Sequence, residues 1–125
     1  MKEFTSAFVT KWNASALGTI YNTYAPETAE RPYAVFEPLD DEPDNTMGEN
    51  NIIARIGITL FDNSDLADTI CNKWESVRAA FNKTSFTISG YAMVLCTWSR
   101  AHGPVRDADS GWFYEIDISA ILDEV

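Results

Sequence analysis

The chain has 125 residues, 46% apolar and 22% charged, with nine bases against nineteen acids and a formal charge of −10. That length suits a single domain over residues 1–125, able to bury roughly two-thirds of its unfolded surface. So acidic a chain repels nucleic acid and anionic lipid, and its four Trp, five Tyr and seven Phe exclude a disordered chain.

Phe4, Phe8 and Trp12 recur at four-residue spacing and predict a short N-terminal helix that Gly18 ends. Residues 18–32, with Pro26 and Pro32, read as an irregular connection. Residues 33–39 are strand-like, and Pro38 confines the end of that strand to an edge or a bulge. Residues 40–51 carry five acids and, apart from Met47, no large aliphatic side chain, so they read as a long polar loop at the tip of a β-hairpin.

Residues 52–61 alternate with period two. Ile52, Ala54, Ile56, Ile58 and Leu60 form an apolar core face, while Ile53, Arg55, Gly57, Thr59 and Phe61 form a mixed one. A second helix is predicted from about Asp62–Asp65, a choice of caps, to Asn82, with Leu66, Ala67, Ile70, Trp74, Val77 and Phe81 in one sector. Phe86 and Ile88 mark a short strand, followed by a strand over 91–99 with Ala92, Val94, Cys96 and Trp98 on one side. Residues 100–111 read as a polar loop. Residues 112–118 form the closing strand, with Trp112, Tyr114, Ile116 and Ile118 on one face, and a short tail follows. Two hairpins separated by a helix predict an α+β fold: an antiparallel sheet of about four strands, with the N-terminal helix and one long amphipathic helix packed on one face.

The search for chemistry returns little. No two glycines lie closer than eight residues, which excludes GxGxxG and the phosphate-binding GxxxxGK[ST] loop. One histidine and two separated cysteines make no recognisable zinc site. The acids Asp40, Asp41, Glu42, Asp44 and Glu49 fail the calcium-loop template, since Asn45 stands where the glycine belongs and Asn51 where the bidentate glutamate belongs. A solvated tip or a docking element accounts for them better. His102 lies near Ser99, Asp107, Asp109 and Ser110, which permits a Ser–His–Asp cluster, but a solvated loop histidine before a Gly–Pro pair is the simpler reading. No enzyme and no cofactor are expected.

Cys71 and Cys96 read as small buried thiols at a helix–sheet contact. The opening residues lack the apolar region of a signal peptide and no run is long enough to cross a bilayer, so a reducing cytoplasm and no membrane partner are expected. The mixed face at Ile53, Arg55 and Phe61 is too apolar for open solvent and too polar for a core, which suits either a self-association surface or a partial cover by the N-terminal segment.

Taken in order, the aromatic N-terminal helix, RPYAVFEP (31–38), the acidic tip, ARIGITLF (54–61), the helix ending in VRAAFN (77–82) and DADSGWFYEIDIS (107–119) resemble the tail terminator, or tail completion, proteins of long-tailed bacteriophages. The resemblance covers the whole chain and rests on order and spacing. It implies a virion subunit of the tail–neck region, assembled in the host cytoplasm. Such subunits form a ring, typically a hexamer, that caps the tail tube and joins the head-completion or stopper protein, leaving a channel for DNA without specific binding. Within that frame Ile53, Arg55 and Phe61 are candidate subunit contacts. Asp40, Asp41, Glu42, Asp44, Met47 and Glu49 are candidates for docking to tube or neck, or for lining the channel. Six copies at −10 each carry −60, and an acidic channel wall would keep the phosphate backbone from sticking. The alternatives are an adaptor or stopper subunit of the same connector and a small ligand-binding α+β domain.

Overall fold

A computed structural model describes residues 2–44, 51–106 and 111–124. The elements in order are α1 (Lys2–Ala14), β1 (Ile20–Asn22), β2 (Tyr33–Asp44), β3 (Asn51–Asp62), α2 (Asp68–Phe81), β4 (Tyr91–Arg106) and β5 (Trp112–Glu124). The strands form one sheet in the order β1-β2-β3-β5-β4. The β1–β2 pair is parallel and every other pair antiparallel.

This corrects the predicted α+β layer. The fold is mostly β, its sheet is mixed and has five strands, and the two helices are of similar length, 13 and 14 residues. The strands lengthen into segments read as loops. β2 continues through the acidic stretch to Asp44 because a register shift between Pro38 and Asp41 absorbs the irregularity, after which Asp41–Asp44 pair with Asn51–Ala54. β4 runs 16 residues, to Arg106, by taking up three shifts, at Met93/Leu95, Trp98/Arg100 and His102/Val105. β5 takes in the supposed tail, because Ala120 and Leu122 still face the core opposite Ala54 and Ile52. β1 is the strand that sequence patterning passed over, three residues long and held by Ile20↔Ala34 to Asn22↔Phe36.

The core lies between one face of the sheet and both helices. Ala54, Ile56, Ile58 and Leu60 of β3 and Ile116, Ile118, Ala120 and Leu122 of β5 are all buried, as the period-two reading requires. Phe4, Phe8 and Trp12 of α1 meet Ile70, Trp74, Val77 and Phe81 of α2 over that face. Phe8 is the hub, its ring 5.2 Å from Phe36, 5.1 Å from Phe81 and 6.0 Å from Trp12.

The helix ends differ from expectation for local reasons. α1 stops at Ala14, since Ala16 takes the left-handed conformation at φ 54 and turns Leu17 into the core. The Trp12 indole then donates to the Gly18 carbonyl at 2.9 Å. α2 begins only at Asp68, with Ala67 at its N-cap and no side-chain cap. Asp62 is spent elsewhere: it closes β3 opposite Trp112 and its Oδ2 accepts the Ser64 amide at 3.1 Å. The short strand at 86–88 reduces to isolated bridges, Thr84↔Cys96 and Ile88↔Tyr91.

Candidate assembly surfaces

The face of the sheet turned away from the helices carries Val35 and Glu37 of β2, Ile53, Arg55, Thr59 and Phe61 of β3, Phe113, Glu115 and Asp117 of β5, and Arg100 and His102 of β4. Its side chains are half-buried or exposed, neither a closed core nor a uniformly wet surface. Between β1, β2, β3 and β5 it sinks into a depression of about 680 Å³. Tyr24 and Leu39 stand on its rim, 76% and 45% exposed, and Glu37, Glu115 and Asp117 contribute carboxylates.

The three predicted subunit contacts share this face without touching as a group. Arg55 reaches Asp40 on β2, with Nη1 3.1 Å from Oδ2. Phe61 lies 5.1 Å from Tyr33, which meets Tyr21 edge-on, and the Arg31 guanidinium sits 5.0 Å above the Phe61 ring. Ile53 is half-buried in the opposite half of β3. Arg31, from the connection 18–32, partly covers Phe61, a cover that was expected from the N-terminal segment. Of the acidic group, Asp40 and Asp41 are exposed on β2, while Glu42 and Asp44 continue the strand in register with Ile53 and Asn51. Met47 and Glu49 lie outside the described residues.

The cluster imagined around His102 is only partly visible. His102 is exposed on β4 opposite Glu115, and Ser99 donates its hydroxyl to the Asp117 carbonyl at 3.3 Å. Asp107, Asp109 and Ser110 lie outside the described residues. Cys96 is fully buried and Cys71 half-buried, both as free thiols. Burial pushes the Cys96 thiol up to about 12, with Lys11 pulling weakly the other way, so it is a packing group and not a nucleophile. Among the described residues no three His, Cys, Asp or Glu side chains are grouped to hold a metal ion, and no helix is long and apolar enough to cross a membrane.

A second cavity, of about 270 Å³, opens between the start of α2 and the ends of β2 and β3. Leu17, Tyr33, Leu60 and Ile70 line it, and Lys73 donates from its edge to the Leu17 carbonyl. Burial lowers the Lys73 pKa, and its amine lies 6.0 Å from the Trp12 ring, so this lysine holds α2 to the turn after α1.

Patterning overlooked the outer edge of β4. Residues 97–106 bear Arg100 and Arg106 and no acid. The signal was present in the charges, but register shifts hide the alternation that would have marked the segment as strand.

No family model and no curated protein matches the chain. Among solved structures, the fold is similar to a chain in the virion of a native gene transfer agent particle. The TM-score is 0.69 at 20% sequence identity, covering 94% of this chain and 90% of that one.

Proposed function

We propose that this protein is a structural subunit of a phage-like virion. It forms a ring that caps the tail tube and joins it to the head-completion protein, around a passage for DNA. The observation that carries the reading is the end-to-end fold correspondence with a chain of a virion particle. Three further features support it. The order of elements resembles tail terminators. The open face offers half-buried apolar groups beside ion pairs, the mixture found at protein–protein contacts. Finally, a formal charge of −10 suits a subunit of a conduit that must not retain DNA.

The subunit works by shape and carries no reactive centre. A His102→Ala variant that restores full particle yield to a deletion strain is the expected result, and loss of yield with the fold intact would revive a catalytic reading. The position in the particle is tested by removing the gene. Particles made without the protein should release tail tubes of uncontrolled length. Tubes of normal length that fail to join heads would point to an adaptor or stopper role, and unaffected particles would remove the protein from the virion.

A further inference from the structure

Among the described residues, no strand pairs with the outer edges of β2 and β4 along half their length. On β2, β1 occupies Ala34–Phe36, and beyond Phe36 no strand lies outside it among the described residues. On β4, Thr84 and Ile88 bridge to Cys96 and Tyr91, and beyond Cys96 the outer edge carries no further bridge among the described residues. Long open edges invite pairing with other chains and are ordinarily covered or blunted.

The two edges are opposite in charge. From Glu37 to Asp44, β2 has five acids and no base. From Thr97 to Arg106, β4 has two arginines and no acid. The match holds on each face of the sheet. Glu37 and Asp40 share the open face with Arg100, while Asp41 and Arg106 lie in register with the helix-side residues Ala54 and Trp112. β2 and β5 run in the same sense and β4 runs against them, so a β4 edge laid beside the β2 edge of another copy is antiparallel and keeps both faces continuous.

We propose that the acidic outer edge of β2 in one copy docks on the basic outer edge of β4 in the next. This rests on the ring reading and names the surface that builds the ring. Charge decides the symmetry. Two β2 edges brought together oppose carboxylates to carboxylates, and two β4 edges oppose arginines, so the two-fold contact is repelled and the head-to-tail one attracted. Pro38, Pro43 and the register shifts interrupt a regular backbone ladder on both edges, which leaves recognition to the side chains.

Two variants test the contact. Glu37→Lys, Asp40→Lys and Asp41→Lys together set three lysines against Glu42 and Asp44 and make both edges basic, and Arg100→Glu with Arg106→Glu makes both acidic. All five side chains are exposed, and circular dichroism checks each fold. Native mass spectrometry should find each variant monomeric alone and an alternating ring in the equimolar mixture. Wild-type rings should loosen as salt shortens the screening length from about 10 Å at 0.1 M to about 3 Å at 1 M. Rings formed by either variant alone, or a mixture of folded variants that stays monomeric while wild type forms rings, would overturn the edge contact and leave the ring reading standing. Wild type that stays monomeric at every concentration and on purified tail tubes would overturn both.

Discussion

Arg55 on β3 and Asp40 on β2 meet across the hairpin, with Nη1 3.2 Å from Oδ1 and 3.1 Å from Oδ2, just where β2 shifts register between Pro38 and Asp41. The pair therefore sits at the irregularity in the β2–β3 pairing and joins two residues that patterning assigned to separate roles. Both side chains are substantially exposed, 30% and 52%, and an exposed pair contributes little to folding.

Arg55→Ala should accordingly lower stability in urea by less than about 1 kcal/mol. Its larger effect is expected on assembly, measured as the fraction of tail tubes capped by added protein. A loss of several kcal/mol with capping unchanged would make Arg55 a folding residue and remove it from the contact surface.

The aromatic hub responds in the opposite way. Phe8 is fully buried and contacts Trp12, Phe36 and Phe81, so it ties α1 to β2 and α2 at once. Phe8→Ala should cost about 3–5 kcal/mol, a large share of the ~5–15 kcal/mol that holds a typical domain together. Calorimetry reads the result directly. A fall in Tm of only one or two degrees would mean that α1 is dispensable to the core.

The contrast between these residues explains what was legible in the sequence. Burial repeats with the period of the element, so the stripes Phe4–Phe8–Trp12 and Ile70–Trp74–Val77–Phe81 and the alternation of Ile56, Ile58, Ile116 and Ile118 announce helices, strands and core face together. Pro38 announced its bulge because proline lacks the ladder donor. What stayed hidden depends on partners distant in sequence. β1 exists because Ala34–Phe36 offer a free edge, and the acidic part of β2 is strand because Asn51–Ala54 lie opposite. The β4 edge lost its alternation to three register shifts. Arg55 and Phe61 were recognisable as an odd face, whereas the opposed charges of β2 and β4 acquire meaning only once both are known to be sheet edges.

Cys96 gives a prediction in pH. Its thiol is raised from 9.0 to about 12 by burial, so between those values the folded state holds a proton that the unfolded state has lost. Its contribution is fully present below pH 9 and is lost as pH rises toward 12. Cys96→Ala loses a buried sulfur and should be less stable at neutral pH, yet its stability should fall less steeply above pH 9 than that of wild type. Parallel urea midpoints for the two proteins over pH 9–11 would mean that the thiol titrates normally.

The acidic edge offers the sharpest functional test, because its two candidate roles separate. Deleting residues 41–49 would remove Asp41–Asp44, which pair with β3, and would confuse folding with function. Asp41→Asn, Glu42→Gln and Asp44→Asn keep the backbone ladder and remove three negative charges from one strand. All three substitutions keep side-chain size, and urea unfolding of the monomer checks the fold. If these acids hold the neighbouring copy, rings of the variant should form more weakly and lose most of their salt dependence by sedimentation velocity, the outcome expected here. Rings of normal stability whose particles eject DNA with an altered rate or salt dependence would assign the same acids to the wall of the passage.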